Sequence, residues 1–449
     1  MKFLFRMLIL LILTASLEAC SGQDPGFTPE KPTETAHGKD RRDTLEIPLA
    51  EVFEAEQAPA EGEGLPDTTP PVEDMGETRL TLWHGLDDED ALILKEIIAT
   101  FHQQQPGIQF ELVYVPRDDL YKRYLDAGES GAGPSLMLGA GEWGSRLYDL
   151  GLVADLSTIV SPALKAEINP AALEAARVQD ALVGLPFTMR GIVMYRNRAI
   201  IPERLHSYEE LVEISRKVTK GGTLGAYLER GDLYALPQLA ACGGAWMYPN
   251  GFPAFNNLSG VCWFNVLKSF EEAGPVSFNG NEDLKRFQSG KVGIILEGTW
   301  NLETLTNSLG DDLVIDPWLA YGDHHLSGYV WTENIYVNSN LDRAGLQAFQ
   351  QFWAFFISPL SQGILAKANH IPAALHPDQA SVLVSQAMSA LSSGTPFPGY
   401  SEMDFYWEPL HNALLAVFEG EEPIPEALQT AADIITKATK DYENLEGVY

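Results

Sequence analysis

The segment Ala181–Asn197 (ALVGLPFTMRGIVMYRN) constrains the fold of this chain more than any other stretch. It contains two apolar runs, Leu182–Phe187 and Gly191–Tyr195, each of a length typical of a buried strand. The polar residues Thr188 and Arg190 lie between the runs. A buried run with polar groups in its middle predicts a crossing between two packed bodies, with a cleft beside it. An ordinary core strand with a polar bulge is the alternative.

The sequence before this segment alternates strand and helix patterns. Leu80–Trp83 is strand-like, and Asp87–Asp90 supplies an N-cap and first-turn acids that favour a helix. Apolar residues with helical spacing follow at Leu94, Ile97, Ile98 and Phe101. Further strands are expected at Gln109–Val115 and Leu136–Leu138. This alternation predicts a parallel sheet with helices on its faces, where ligands contact the loops at the carboxyl ends of the strands.

The sequence after the segment contains a second set of elements. Tyr208–Arg216 has the pattern of an amphipathic helix, and the glycine-rich Lys220–Arg230 is typical of a loop. Asp232–Ala241 is expected to be helical and to end at Gly243, a residue that suits a helix C-cap. Val292–Leu296 is expected to be a strand.

The charge of the chain excludes one class of partner. The 449 residues include 30 Lys and Arg against 62 Asp and Glu, which gives a formal net charge of −32. Binding to the phosphate backbone of nucleic acids requires clustered basic residues. A nucleic-acid partner is therefore not expected, and the length favours more than one domain.

Residues 1–20 are typical of an export signal. Lys2 and Arg6 give a positive start, and Met7–Leu13 is an apolar core too short to span a bilayer. The signal ends in Leu17-Glu18-Ala19-Cys20, which resembles a lipobox with Cys20 as the lipidated first residue of the mature protein. We expect an exported protein, lipid-anchored to the outer face of the cell membrane. Plain signal cleavage beside an incidental cysteine is the alternative, and Glu18 is unusual at such a cleavage site.

Residues 21–77 differ in composition from the rest of the chain. Pro, Glu, Asp and Thr dominate this segment, and aromatic residues are nearly absent. Such a composition buries too little apolar area to offset the entropy of ordering. The segment is predicted to be a disordered, acidic, Pro-rich tether between the membrane and the folded part.

The segment Gly139–Gly144 (GAGEWG) matches the G-x-G-x-x-G pattern of dinucleotide sites. It follows the third predicted strand rather than the first, and the bulky Trp143 lies where a backbone would approach a pyrophosphate. The other interpretation is a sharp turn that presents Glu142 and Trp143 to a cleft. We favour the turn, and no cofactor is expected.

Cysteines and histidines show no metal-site spacing. Outside the cytoplasm Cys242 and Cys262 can form a disulfide, and two buried free thiols are the alternative. No Cys and His set has the spacing of a zinc site. His324 and His325 are neighbours in a polar loop, where exposure to solvent is the usual state. No metal is expected.

The order and spacing of several motifs resemble the extracellular solute-binding family that includes maltose-binding protein. The motifs run from Leu80 to near Leu428 and include LTLWH, SGAGPSLML, LVGLPFTMRGIVMYRN, DLKRFQSGKVGIILEGTWNL, GYVWTENIYVNSN and DFYWEPLHNALLAVFEGEEPIPEAL. The chain departs from the family pattern at Ser135, where Asp is usual, and at Arg190, where a smaller or acidic residue is common. Both departures concern the ligand rather than the fold.

The resemblance implies an α/β, two-lobed periplasmic-binding-protein fold of type II, with a ligand cleft between lobes joined by hinge strands. Lobe 1 would comprise residues 78–188 and 325–371, and lobe 2 residues 190–320 and 374–449. The crossings would lie near Thr188–Gly191, Tyr321–Trp331 and His370–Ala374. The ligand would be enclosed by hinge closure of the lobes.

The resemblance also implies a function without catalysis. The chain would be the substrate-binding protein of an ABC importer, monomeric, with a carbohydrate ligand (an oligosaccharide) and permease subunits as partners. A surface sensory or interaction protein with the same fold is the alternative. Arg190 leaves room for an acidic or phosphorylated solute instead of a sugar.

The resemblance places a set of aromatic, acidic and polar residues at the cleft. The predicted ligand contacts are Trp83, His84, Glu142, Trp143, Arg190, Asp232, Tyr234, Glu297, Trp300, Trp331, Glu333 and Trp407. Trp300 and Trp407 match family positions that stack on sugar rings. Trp263, Trp318 and Trp353 are expected in the core, and Trp246 is left undecided.

The acids in this set leave one enzymatic alternative open, a glycoside hydrolase. Such enzymes need two carboxylates about 5–10 Å apart across the scissile bond. Glu142, Glu297 and Glu333 are the available candidates. Polar contacts to the rim of a bound sugar explain the same acids without catalysis, and we favour that interpretation.

Overall fold

The structure is a computed structural model that describes residues 77–248 and 250–446. The predicted signal with Cys20, almost all of the predicted tether and the last three residues of predicted lobe 2 lie outside the described residues. Within the described residues, no helix combines the length and the apolar character needed to cross a membrane.

The strands of the described residues are numbered in chain order. They are β1 (Thr78–His84), β2 (Ile108–Tyr114), β3 (Leu136–Ala140), β4 (Arg177–Val178), β5 (Ala181–Leu182), β6 (Leu185–Asn197), β7 (Leu224–Ala226), β8 (Leu228–Glu229), β9 (Val276–Ser277), β10 (Val292–Gly298), β11 (Leu313–Asp316), β12 (Ala320–Tyr321), β13 (His324–His325), β14 (Tyr329–Val337), β15 (Ile371–Pro372) and β16 (Thr395–Pro396).

The helices are numbered in the same way, and short 3-10 turns are named by their residues. The helices are α1 (Asp88–Gln104), α2 (Arg117–Glu129), α3 (Gly144–Asp149), α4 (Pro162–Ala166), α5 (Pro170–Ala175), α6 (Tyr208–Val218), α7 (Asp232–Ala235), α8 (Leu258–Ala273), α9 (Glu282–Gln288), α10 (Leu302–Leu309), α11 (Arg343–Phe356), α12 (Pro359–Lys367), α13 (Val382–Ser392), α14 (Trp407–Phe418) and α15 (Ile424–Glu446).

The main sheet has ten strands and is mixed rather than parallel throughout. Seven strands follow the order β2-β1-β3-β14-β6-β10-β7, while β11 and β15 also pair with β6 and β16 pairs with β14. Strand β1 pairs in parallel with β2 and β3, as the alternating pattern predicts. Strand β14 runs antiparallel to both β3 and β6, and β10 runs antiparallel to β6. The expectation of a parallel sheet therefore holds for the first strands and is wrong for the middle of the sheet.

Strand β6 is the element that connects the two halves of this sheet. Its first half pairs with β14, up to the pair Gly191–Val330, and its second half pairs with β10 and β11. The sequence predicted two short strands here, but the structure has one strand of 13 residues. The pairing of β6 with β14 continues through the stretch that carries Thr188 and Arg190, because Met189 and Arg190 both have partners on β14.

Successive residues of β6 point into different hydrophobic clusters. Val193 and Tyr195 belong to a cluster shared with β1, α1 and α11, whereas Ile192 and Met194 belong to a cluster shared with α6, α8 and α14. Side chains alternate between the faces of a strand, so one strand can serve two cores. This burial on both faces explains the continuous apolar run.

Helix α1 begins as the sequence predicts. The Asp87 carboxylate accepts hydrogen bonds from the amides of Glu89 (3.1 Å) and Asp90 (3.0 Å), which caps the helix. The predicted apolar face is buried at Leu94, Ile97, Ile98 and Phe101.

The glycine-rich stretch Lys220–Arg230 was expected to be a loop, and that expectation is wrong. It contains strands β7 and β8. A Cβ on Gly225 would lie 2.3 Å from the Cα of Ser215 in α6. The glycine therefore permits close contact between strand and helix, which is one of the uses of glycine inside a strand.

Cys242 and Cys262 form a disulfide, with their Cα atoms 5.9 Å apart. The bond joins the end of the 3-10 helix Leu236–Cys242 to α8. Gly243 follows the first cysteine with a φ of 61°, as expected of a C-cap glycine. Of the tryptophans, Trp263, Trp318 and Trp353 are buried as predicted, and Trp246, which was undecided, is buried as well.

Removal of this disulfide should destabilise the protein measurably. It links residues separated by 20 positions. By the chain-entropy relation, a loop of this length contributes about 3 kcal/mol to the free energy of unfolding. We expect the free energy of unfolding of the Cys242→Ser/Cys262→Ser double variant to be lower by about 3 kcal/mol. Chemical denaturation followed by circular dichroism measures this difference.

Reduction of the wild-type protein should cause the same loss of stability. The same reducing agent should not change the stability of the double variant. A denaturation midpoint that changes neither in the double variant nor on reduction of the wild-type protein would contradict a stabilising disulfide.

Candidate ligand-binding site

A cavity of about 950 Å³ lies between residues that precede β6 and residues that follow it. The lining residues that precede β6 include Tyr121, Glu142, Trp143, Ser145 and Arg146. Those that follow β6 include Trp300, Trp331 of β14, Phe397, Met403 and Trp407, and β6 itself contributes Arg190. This volume falls in the range of small-molecule sites in proteins.

A connected row of aromatic rings forms one wall of the cavity. The ring centroids of Trp300 and Trp331 are 6.3 Å apart, and those of Trp331 and Phe397 are 5.6 Å apart. Phe397 and Trp407 are nearly parallel, with an interplanar angle of 15° and centroids 6.0 Å apart. Such a wall can cover flat apolar faces of a ligand.

Long-range strand pairing brings this row together. Trp331 of β14 lies opposite Arg190 of β6, and the pairing register shifts between Glu333 and Asn334. The amide of Phe397, which follows β16, donates to the carbonyl of Val330 at 2.8 Å. Irregular pairing of this kind commonly redirects side chains next to functional sites.

The turn that carries Trp300 follows β10 directly. Trp300 is 51% exposed, which is unusual for a tryptophan. A Cβ on Gly298 would lie 2.0 Å from the indole, so the ring packs over the backbone of that glycine. The turn thus places Trp300 in the cavity wall.

A second aromatic pair lines the cavity, Trp143 and Tyr121, whose ring centroids are 5.1 Å apart. A Cβ on Gly139 would lie 2.3 Å from the Trp143 ring, and one on Gly141 would lie 2.7 Å from the carbonyl oxygen of Thr332. Packing within the chain therefore accounts for these glycines of the G-x-G-x-x-G pattern. The predicted sharp turn presents Glu142 and Trp143 to the cavity.

Charged groups of both signs line the cavity. A guanidinium nitrogen of Arg190 lies 3.6 Å from a carboxylate oxygen of Glu142, and both side chains are partly exposed. Arg146 and Asp404 also line the cavity. Arg146 donates a hydrogen bond of 3.2 Å to the hydroxyl of Tyr442 on α15. The polar wall can thus offer donors and acceptors without a large net charge.

The structure brings one part of the predicted site together and leaves another part outside the cavity. The predicted residues that line the cavity are Glu142, Trp143, Arg190, Trp300, Trp331 and Trp407. Those that do not line it are Trp83, His84, Asp232, Tyr234, Glu297 and Glu333. The second group engages in contacts within the chain.

The predicted residues that do not line the cavity have other surroundings in the structure. Trp83 packs against a small hydrophobic cluster, and His84 is buried. Asp232 lies 2.8 Å from the Nδ1 atom of His411, and Glu333 forms a 2.7 Å ion pair with Arg117. The remaining pair, Tyr234 and Glu297, forms a hydrogen bond of 2.9 Å.

Sequence reasoning missed several aromatic residues that line the cavity: Tyr121, Phe397, Tyr400, Phe405 and Tyr442. Their best signal was the segment Phe397–Phe405 (FPGYSEMDF), which is rich in aromatic rings and precedes Trp407. Tyr121 and Tyr442 lie on helices and show no pattern that separates them from other helical aromatic residues.

Buried carboxylates lie near the Trp300 turn but not in the cavity wall. Glu229, Asp283 and Glu297 are all buried. Burial raises the pKa of Asp283 to about 7, with a smaller contribution from the nearby Glu229 and Glu297 carboxylates. Burial also raises the pKa of Glu297. Within the described part of the chain, no group of three or more metal-ligating side chains has metal-site geometry.

Known proteins share this sequence pattern and this fold. The family of bacterial extracellular solute-binding proteins matches residues 96–385, which is more than half of the chain. The chain belongs to this family.

Relatives of this solute-binding protein are distant in sequence but match along most of their length. A maltooligosaccharide ABC transporter solute-binding lipoprotein of Streptococcus pneumoniae is 24% identical over 373 residues, covering 77% of this chain and 86% of the relative. A galactooligosaccharide-binding protein of Bacillus subtilis is 22% identical over 380 residues, covering 79% of this chain and 88% of the relative.

Solved structures show the same two-lobed fold. An extracellular solute-binding protein of Staphylococcus aureus in complex with maltose superposes with a TM-score of 0.72 at 21% identity, covering 81% of this chain and 98% of that one. A cyclo/maltodextrin-binding protein complexed with maltotetraose superposes with a TM-score of 0.70 at 21% identity, covering 84% and 98%. The solute-binding protein therefore has the predicted α/β periplasmic-binding-protein fold.

The raised pKa of Asp283 generates a prediction for stability. Its pKa is about 7 in the folded protein against an ordinary value of 3.8 for an aspartate, so the folded state holds this proton more tightly than the unfolded state. The resulting contribution to stability is fully present below the unfolded pKa and is lost as pH rises towards the folded pKa. Asp283→Asn should therefore increase the free energy of unfolding at about pH 8 more than at about pH 4.

Chemical denaturation at both pH values, followed by circular dichroism, measures this difference. The exposed Asp118→Asn is the matched control for removing one carboxylate. If Asp283→Asn changed the free energy of unfolding equally at both pH values, the raised pKa of Asp283 would be disproved.

Proposed function

We propose that this solute-binding protein captures a neutral oligosaccharide, with gluco-oligosaccharides as the favoured class, and delivers it to an ABC importer. The observation that carries the proposal is the aromatic row Trp300, Trp331, Phe397 and Trp407, which lines the same cavity as polar and charged side chains. Sugar rings have apolar faces that stack on indoles and hydroxyl rims that bind charged and polar groups.

The charges in the cavity favour a neutral ligand over an acidic or phosphorylated one. Arg190 lies near the carboxylate of Glu142 at 3.6 Å, and Arg146 lines the same cavity as Asp404. Sites for phosphate or carboxylate usually present an arginine fork that is free to bind in a bidentate manner. The partial neutralisation of Arg190 supports a role in hydrogen bonding to hydroxyl groups.

The relatives support the same ligand class. The Streptococcus pneumoniae relative is named for maltooligosaccharides, and the Bacillus subtilis relative is named for galactooligosaccharides. The structural neighbours hold maltose and maltotetraose. An oligosaccharide, rather than a single sugar, also suits a cavity of about 950 Å³.

The proposed mechanism is closure of two lobes on the ligand. Lobe 1 comprises residues 78–188 and 325–371, and lobe 2 comprises residues 190–320 and 374–449. Closure would bring Glu142 and Trp143 of lobe 1 against Trp300 and Trp407 of lobe 2. The pairing of β6 with both halves of the sheet supports a hinge at this strand.

The proposed cellular setting is the outer face of the membrane. A lipid on Cys20 would anchor the protein, the acidic segment 21–77 would separate it from the bilayer, and permease subunits would receive the ligand. The name of the Streptococcus pneumoniae relative, a lipoprotein of an ABC transporter, supports this arrangement. We also propose that the protein acts as a monomer.

The test of ligand class is the removal of single rings from the aromatic row. Loss of a stacked indole should cost about 1–3 kcal/mol of binding free energy, by the area of apolar surface returned to water. Trp300→Ala and Trp407→Ala should therefore weaken maltotriose or maltotetraose binding by about fivefold to more than a hundredfold in calorimetric titration.

The exposed Tyr114, which is 61% accessible and lies outside the cavity wall, provides the matched control variant Tyr114→Ala. The melting temperature of the ligand-free protein should fall little in the variants at Trp300 and Trp407. Unchanged affinity together with a large loss of stability would make both tryptophans structural residues. Release of glucose during incubation with either oligosaccharide would reject a function limited to binding.

The anchoring proposal has a separate test. Cys20→Ser should move the protein from the membrane fraction to the soluble fraction, because a serine cannot carry the thioether-linked lipid. Ligand affinity should not change, since Cys20 is more than 100 positions away in sequence from the residues that line the cavity. Wild-type protein found wholly in the soluble fraction would contradict the lipid anchor.

A further inference from the structure

The turn that carries Trp300 is held by a buried carboxylate. Glu297, the residue before Gly298, is 5% exposed. Its Oε1 atom accepts a hydrogen bond from the amide of Gly298 at 2.6 Å and another from the hydroxyl of Tyr234 at 2.9 Å. Buried polar groups are stable only when they are bonded in this way. Glu297 and Tyr234 therefore hold each other behind the cavity wall.

The same turn is bonded to strand β6. The hydroxyl of Tyr195 donates to the carbonyl of Gly298 at 3.2 Å, and the amide of Gly191 donates to the hydroxyl of Thr299 at 3.1 Å. Gly191 is the neighbour of Arg190, which lines the cavity. The peptide group on which the Trp300 indole rests is thus fixed from two directions, by Glu297 and by β6.

The orientation of the Trp300 ring depends on this peptide group. The indole lies close over Gly298, where a Cβ would be 2.0 Å from the ring. One face of the ring packs on the backbone, and the side chain remains 51% exposed. Any shift of the Gly298 peptide therefore changes the position of the face that meets a ligand.

We propose that Glu297 is a positioning residue that fixes the Trp300 indole for ligand stacking through the Gly298 amide and the Tyr234 hydroxyl. It acts on the ligand through Trp300 and does not contact it. This inference rests on the proposed function of the cavity. It also assigns a role to Tyr234 and Glu297, which the sequence predicted as direct ligand contacts.

The role requires an acceptor oxygen and not a negative charge. Glutamine at position 297 has the size of glutamate and retains a carbonyl oxygen that can accept from Gly298 and Tyr234. Methionine has a similar length and no oxygen acceptor, so both buried donors would lose their partner. A carboxylate that contacts the ligand or acts in catalysis would instead be impaired by the glutamine substitution.

The experiment compares Glu297→Gln, Glu297→Met, Trp300→Ala and the double variant Glu297→Met/Trp300→Ala in calorimetric titrations with maltotetraose. We expect Glu297→Gln to retain most of the affinity and Glu297→Met to lose about tenfold. If Glu297 acts through Trp300, the loss caused by methionine should shrink to about twofold or less in the Trp300→Ala background.

Asp283→Asn is the matched control, since Asp283 is a nearby buried carboxylate whose Oδ1 atom has no hydrogen-bond partner among the described residues. It should leave affinity unchanged. Equal losses from methionine in both backgrounds, or glutamine as harmful as methionine, would overturn the proposal. Full affinity in Glu297→Met would overturn it as well.

A ligand-free measurement separates this inference from the proposed function. In protein labelled with 5-fluorotryptophan, the ¹⁹F resonance of Trp300 is identified by its absence in Trp300→Phe. Glu297→Met should shift or broaden that resonance, and Glu297→Gln should leave it near its wild-type position. If the wild-type protein binds no oligosaccharide, the proposed function fails, and the resonance still decides whether Glu297 positions the ring.

Discussion

The continuous hydrogen-bond ladder of β6 is the constraint on which the rest of this structure depends. This strand of 13 residues pairs with β14 in its first half and with β10 and β11 in its second half. Its backbone groups are therefore satisfied while it passes from one half of the sheet to the other, as a buried backbone requires. Because Arg190 lies at the change of partner, the ladder also places a charged side chain beside the cavity.

The cavity walls follow from where strands end beside this ladder. Trp331 is placed by its pairing with Arg190, and the Trp300 turn is bonded to Gly191. In each wall a glycine makes room for a tryptophan ring: Gly139 for Trp143 and Gly298 for Trp300. The rings rest on backbone rather than on flexible side chains, so they are preorganised, which reduces the entropy lost when a ligand binds.

The glutamates of this region divide into different roles by burial. Glu142 is partly exposed and faces Arg190 in the cavity, whereas Glu297 is buried and bonded to its own turn. Glu333 is engaged by Arg117. The three acids that the sequence offers as candidates therefore lie in different surroundings.

The sequence by itself determined the local elements and the family. The Asp87 cap, the apolar face of α1 and the Gly243 terminus are local patterns, since capping and helical spacing involve residues only a few positions apart. Only the tertiary structure decided which residues of similar chemistry face the cavity. Glu142 lies just after β3, and Glu297 lies near the end of β10. Phe397 reaches the aromatic row through the pairing of β16 with β14. Such choices depend on contacts between residues far apart in the chain, which periodicity and local motifs do not encode.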